Sequence, residues 1–189
     1  TMPGEYAKFS VETWIESAMK YFTNRNFRIA DAADDSKTYG YGRSIWALID
    51  TDTRQPQNIL DIGEGEVARY VNADKACPIA PLSRVKMGKD ARLAATIDTH
   101  YSDVDVNGHI NSVKYIEHVL NLFSVDWYKS HAIRRFDIAY VAESHYGDKL
   151  CFYMEEAGEG AFCVRITKKQ NGGDGETEVC RCKVTFVRK

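Results

Sequence analysis

The run from Ile110 to Trp127 constrains the fold more than any other part of the chain. Ile110, Val113, Ile116, Leu120, Phe123 and Trp127 recur at intervals of three and four, which puts them on one stripe of an α-helix. Tyr115, Val119 and Leu122 widen that stripe onto a neighbouring face. So broad an apolar surface needs cover on more than one side, and an antiparallel sheet curved around the helix supplies it.

The rest of the chain is rich in strands suited to that task. Residues 8–17 alternate apolar and polar around β-branched and aromatic types, and residues 20–30 and 39–49 read the same way. A polar turn, Asp31 to Lys37, separates the last two; residues 50–63 read as a loop and Val67 to Val71 as a short helix. Beyond the helix, Asp148 to Glu155 alternates with Leu150, Phe152 and Met154 on one face. Ala161 to Lys169 follows through Phe162, Val164 and Ile166, then a turn at Asn171-Gly172-Gly173, then Val179 to Val187.

These two sets of three strands, with Gly42–Trp46 overlaying Cys180–Val184, suggest an internal duplication. The expected class is α+β, with one unit at 1–75, a linker at 76–95 marked by Pro78 and Pro81, and a second unit at 96–189. The second unit has more in front of its meander: a strand near 94–101, a motif loop, the long helix and a strand from Ile133 to Glu143. By the logic of the repeat, about fifty residues are missing ahead of Phe9. Trp14, Phe27 and Trp46 would then be core aromatics of an incomplete first unit, and the chain alone is expected to self-associate through the uncovered face.

Composition narrows the functional classes. Lys plus Arg number 25 against 27 Asp plus Glu, a net charge of −2, which gives no basic nucleic-acid surface. The longest apolar runs, such as Ile45–Ile49, fall far below the ~18 residues of a membrane span. The five cysteines, an odd number, form no CxxC pair, and Cys180 and Cys182 share one strand face, so reduced thiols are expected. Thr1-Met2-Pro3-Gly4 has neither the charged and apolar regions of a signal peptide nor a transit-peptide composition, so the expected compartment is the cytoplasm.

The chemistry-bearing stretch is His100-Tyr101-Ser102-Asp103-Val104-Asp105-Val106-Asn107-Gly108-His109-Ile110-Asn111. Asp103-x-Asp105-x-Asn107-Gly108 opens like a calcium loop, but the twelfth position, where a bidentate Glu is needed, is Lys114. His109 and His118 fall on opposite sides of a helix and cannot share one ion, so no metal is expected. Asn107 or Asn111 caps the helix, which sets the polar loop beside N–H groups and a dipole that favour developing negative charge.

Asp105-x-Asn107-x-His109-x-Asn111 followed by Lys114-Tyr115-Ile116 resembles the signature of the acyl-acyl-carrier-protein thioesterase family, and Tyr140-Val141-Ala142-Glu143-Ser144 is similar to the segment carrying its second acid. The resemblance runs over essentially the whole chain. It implies two hotdog units in tandem, each a long helix wrapped by a curved antiparallel sheet, with the first unit incomplete here. It also implies hydrolysis of acyl-carrier-protein thioesters to free fatty acid, and catalytic roles for Asp105, Asn107, His109 and Glu143. No cofactor is implied. Plant members usually carry Cys after the Glu, where this chain has Ser144, so water activated by a carboxylate is expected rather than a thiolate nucleophile.

In that scheme Glu143, at the end of a partly buried strand, acts as base; His109 shares the role or protonates the leaving sulfur. Asn107 positions the thioester carbonyl or the water, and Asp105 orients a partner or is the alternative base. Ile110, Asn111 and Val113 would line the substrate. His100, His118, His131 and His145 are set aside as structural or solvent residues. The rivals are a coenzyme A thioesterase, an enoyl-thioester hydratase and a non-catalytic acyl-binding module. The expected partner is acyl carrier protein, an acidic molecule, docking on Arg84, Lys86, Lys89 and Arg92 or on Lys129, Arg134 and Arg135; a homodimer is compatible with this reading.

Overall fold

Three of the alternating segments pair in chain order: β1 (Phe9–Ala18), β2 (Phe22–Asp31) and β3 (Thr38–Ala47) form an antiparallel sheet with Thr13 opposite Phe27 and Phe27 opposite Gly42. The computed structural model describes residues 2–81, 84–169 and 175–189, and the chain divides into two compact units, Thr1–Leu82 and Ser83–Lys189. The Asn171-Gly172-Gly173 turn lies outside the described residues.

One face of the first sheet is held by polar side chains. Trp14, Asn26 and Arg43 stand in register across it. The Trp14 indole donates to the Lys75 carbonyl at 2.7 Å, and Asn26 and Arg43 both donate to the same oxygen of Glu16, at 2.7 and 2.6 Å. On the other face Val11, Ile29 and Trp46 are exposed, so of the three aromatics expected in the core only Trp14 is buried; Trp46 is 56% exposed. An irregular 3-10 segment, Ile59–Tyr70, replaces the short helix expected at Val67–Val71 and takes in the end of the expected loop. Left-handed φ values at Gly63, Glu64 and Gly65 break its course. Trp14, Ile15, Trp46, Ile59, Val67 and Tyr70 line a cleft of about 830 Å³ within this unit.

In the second unit β4 (Arg92–Asp98), β5 (His131–Tyr140), β6 (Lys149–Glu156), β7 (Ala161–Lys169) and β8 (Glu176–Arg188) form an antiparallel sheet in the order β4-β6-β7-β8-β5. The meander β6-β7-β8 repeats the order of β1-β2-β3, and the overlaid pentapeptides both fall on the third strand. β4 starts inside the segment read as linker. α1 (Ser112–Leu120) lies in the sheet's hollow, with Ile110, Tyr115 and Val119 packed among Leu150 and Phe152 of β6, Val164 and Ile166 of β7 and Cys180 and Cys182 of β8. Each fully buried Leu, Val or Phe here adds about 1.5–3 kcal/mol of transfer free energy.

The single long helix expected over Ile110–Trp127 is broken. α1 ends at Leu120, and Ser124 starts α2 (Val125–Ser130) by accepting the Trp127 N–H at 3.1 Å. The break lets Phe123 pack edge-on against Phe162 and Phe186, at 5.0 and 4.8 Å between ring centres, and Trp127 stack on His131. No helix among the described residues is long and apolar enough to cross a membrane.

Candidate active site

The loop before α1 is organised by its own carboxylates. Asp105 Oδ1 accepts the backbone N–H of Asn107 at 2.8 Å and of His109 at 3.2 Å, and the Asp105 N–H donates to the His109 carbonyl. One oxygen of Asp105 therefore shapes the turn that presents His109. Gly108, at φ 81°, takes the left-handed conformation that closes it. Asp103 is buried and accepts the His100 N–H at 2.7 Å. Asn111 is the helix cap, its side chain accepting the Val113 N–H at 3.0 Å.

The second acid arrives from β5, though not as a strand residue. β5 stops at Tyr140, because the N–H groups of Val141 and Ala142 converge on the Val179 carbonyl and the chain then turns away. Glu143 is consequently exposed rather than partly buried. Its position is still well defined: its carbonyl accepts from Lys168 Nζ at 2.7 Å, and the next carbonyl, of Ser144, accepts from the Ile110 N–H at 2.8 Å. That second bond ties the acid's loop to the histidine's. His109 Nε2 lies 3.3 Å from Glu143 Oε2.

Ser144 points the other way. It is fully buried, and its hydroxyl is hydrogen-bonded to the Tyr115 phenol, whose pKa is pushed up by burial. The position after Glu143 is thus part of the core. Burial also pushes up the thiols of Cys163, Cys180 and Cys182, the last to about 12, so none of these is a ready nucleophile.

Of the expected catalytic residues, the structure brings His109 and Glu143 into contact and ties Asp105 to the backbone beside them. Asn107 is exposed on the same turn. The expected substrate residues separate. Ile110 is 4% exposed in the core, where a position one residue ahead of the cap must pack; Asn111 spends its side chain on the cap; Val113 faces solvent. His145, set aside on sequence, sits against His109 with ring centres 5.1 Å apart. His145 lies two residues from Glu143, with the buried Ser144 between them.

A helix lodged in a five-stranded antiparallel sheet, with a His–Glu pair beside the helix start, places the second unit among hotdog folds that carry acid–base groups. Residues 87–186 match the family model of the acyl-ACP thioesterase C-terminal domain and residues 3–63 that of the N-terminal domain, and the chain belongs to the acyl-ACP thioesterase family. It is similar to a crystal structure of an acyl-ACP thioesterase from Bacteroides thetaiotaomicron, at 44% identity and a TM-score of 0.86, covering 98% of this chain and 71% of that one. The 12:0-ACP thioesterase from Umbellularia californica shares the fold, at 23% identity and a TM-score of 0.75, over 96% of this chain and 68% of that one. A chloroplastic palmitoyl-acyl carrier protein thioesterase from Arabidopsis thaliana is 30% identical over 115 residues, 58% of this chain and 27% of that protein. The chain spans less than half the length of the curated relatives it matches.

Proposed function

We propose that this chain hydrolyses acyl thioesters carried on acyl carrier protein, releasing a free fatty acid and the carrier's thiol. The observation that carries the reading is the 3.3 Å approach of His109 Nε2 to Glu143 Oε2 at the start of α1. Glu143 takes a proton from water as the water oxygen bonds to the thioester carbon. The C–S bond then breaks, and His109 delivers a proton to the leaving sulfur. The side chain of Asn107 holds the carbonyl, and the helix N-terminus favours the oxyanion. Asp105 acts by positioning: it holds the backbone N–H groups of Asn107 and His109.

Docking to an acidic carrier falls to one of the two basic patches. In the other, Lys129 is paired with Asp126 at 2.7 Å and Arg135 is gripped by Asp137 through two bonds of 2.7 Å, so the exposed Arg134 carries most of what that patch can offer. Arg84, Lys86, Lys89 and Arg92 are all exposed. The cytoplasm and a homodimeric assembly fit this reading.

The test is thiol release from acyl carrier protein loaded with a saturated acyl chain, alongside hydration of a 2-enoyl thioester. Wild type should release thiol and hydrate nothing, and Lys86→Glu with Lys89→Glu should raise KM and flatten its salt dependence. Hydration without thiol release would transfer the site to the hydratase class.

A further inference from the structure

His109, Glu143 and His145 present two imidazole nitrogens and a carboxylate oxygen that all lie within 4.8 Å of one another. From this geometry we infer that the trio is a binding site for a divalent transition-metal ion of the zinc type, and that the ion occupies the site as an inhibitor. Two imidazoles and one carboxylate are the donor set of open, three-ligand zinc sites, which leave a fourth position to water. Donors at ~2.0–2.1 Å from a tetrahedral ion stand about 3.3 Å from each other. The His109–Glu143 pair already has that separation, and the donor atom of His145, on an exposed side chain, stands within 4.8 Å of both.

Two features make the trio more than a chance meeting of surface groups. The first is backbone support on both sides. Glu143 is held through Lys168, and Ser144 through the Ile110 N–H. The His145 N–H donates to Asp148 Oδ2 at 2.9 Å, and Thr99 Oγ1 donates to the His145 carbonyl at 3.2 Å. Little backbone ordering remains to oppose binding. The second is donor type: imidazole nitrogens favour zinc, nickel and copper, whereas magnesium and calcium want an all-oxygen shell that this site lacks. His118, a helix residue whose ring packs on Phe152, takes no part in the trio, and His145 is far from His109 in sequence.

A bound ion would engage the His109 nitrogen and the Glu143 oxygen that the proposed hydrolysis needs free. The binding claim stands on the geometry alone; the inhibitory consequence rests on the hydrolase reading.

Zinc is titrated into the 189-residue chain in competition with a chromophoric chelator. One Zn²⁺ per chain should bind. His109→Ala, Glu143→Gln and His145→Ala should each weaken it at least tenfold, while His118→Ala and Cys77→Ser leave it unchanged and Mg²⁺ fails to compete. Glu143→Gln keeps the side-chain shape, so it reads the lost charge and not misfolding. Zinc affinity untouched in these three variants, or no binding at millimolar zinc, overturns the site. In a thiol-release assay, each protein is compared with its own zinc-free rate. His145→Ala should need at least ten times more zinc for half-inhibition, and equal sensitivity would overturn the inhibitory role. A chain that binds zinc as expected yet releases no thiol leaves the site standing and removes the hydrolase reading.

Discussion

The two units build the same antiparallel meander and cover it differently. In the second, the hollow of β6-β7-β8 is filled by α1, and Leu150, Phe152, Val164, Ile166, Cys180 and Cys182 are fully or nearly fully buried. In the first, one face of β1-β2-β3 is closed by Glu16, Asn26, Arg43 and the chain around Lys75, while Val11, Ile29 and Trp46 stay exposed on the other. The carboxylates differ in step. Glu16 is neutralised by Arg43 and bonded to a buried amide, whereas Glu143 faces solvent beside a histidine. A carboxylate held by a guanidinium stabilises a sheet; one next to an imidazole can exchange protons. The same strand order therefore carries a structural carboxylate in one unit and, in the function proposed above, a reacting one in the other.

The sharpest way to break that contrast is to remove the acid in each unit. Glu143→Gln should lower the rate of thiol release by about 10²–10⁴-fold, the usual weight of a general base. His109→Ala should do the same, and the double variant should be little worse than either single one, because the two act as a unit. Glu16→Gln should leave the rate within a few-fold and instead lower stability by about 1–3 kcal/mol, since it strips a charged partner from Arg43. Steady-state kinetics and urea melts on the four variants distinguish the cases. A hydrolytic loss from Glu16→Gln equal to that from Glu143→Gln would undo the division of labour.

Next in size is the packing contrast. Phe152→Ala should cost about 3–5 kcal/mol, the range for truncating a fully buried aromatic. Trp46→Ala, at a side chain more than half exposed, should cost under about 1 kcal/mol despite its larger size. Reversed values in denaturant melts would mean that Trp46 is covered in solution.

Much of this was legible in the residues. The strand readings overlap every strand of the described residues, most ends falling within about three residues, because the half-buried pattern survives. Of the two cap candidates, Asn107 and Asn111, Asn111 is the one that starts α1. The break at Ser124 also had a signal, a Ser two residues before Asp126 as in a helix first turn, but the apolar spacing ran straight through it. What could not be read was which face receives cover. Trp46 alternates like a core residue, yet its exposure depends on what lies above the sheet, a matter of tertiary packing rather than period. Glu143 failed for a similar reason: the strand pattern extends to it, but two N–H groups competing for one Val179 carbonyl end the ladder sooner. His145 meets His109 only because the Ser144 carbonyl is bonded across the two loops, a long-range pairing that spacing does not encode.

A smaller effect tests the hinge between chemistry and core. Ser144, flanked by Glu143 and His145, is anchored inward by the Tyr115 phenol. Tyr115→Phe should cost about 1–3 kcal/mol, because it leaves the buried Ser144 hydroxyl without that partner. It should also lower the rate of thiol release less than Glu143→Gln does, since it loosens the loop without removing a reacting group. Restoring stability with Ser144→Ala in the same chain would confirm that the loss came from the orphaned hydroxyl; a double variant no more stable than Tyr115→Phe would locate the cost elsewhere.

The smallest expected effect belongs to the first unit and its β2–β3 turn. Asp31 accepts the Tyr39 phenol at 2.6 Å and the Ala33 N–H at 2.9 Å, with Lys37 alongside, and these bonds hold its carboxyl at about 2, well below the ordinary value of 3.8. A carboxylate whose pKa is depressed on folding contributes stability that is present above the unfolded value, and that contribution fades as pH falls through the folded one. The stability difference between wild type and Asp31→Asn should therefore be constant from pH 7 down to about 5, then shrink as pH drops from about 4 towards 2. Because the carboxylate is only partly buried, the difference should also shrink with added salt. Urea melts of the two proteins at pH 3, 4, 5 and 7 check it. A difference that stayed level through pH 3 would mean that the turn is held by Lys37 N–H to Asp34 and the other backbone bonds, with the Asp31 charge contributing nothing to the sheet it borders.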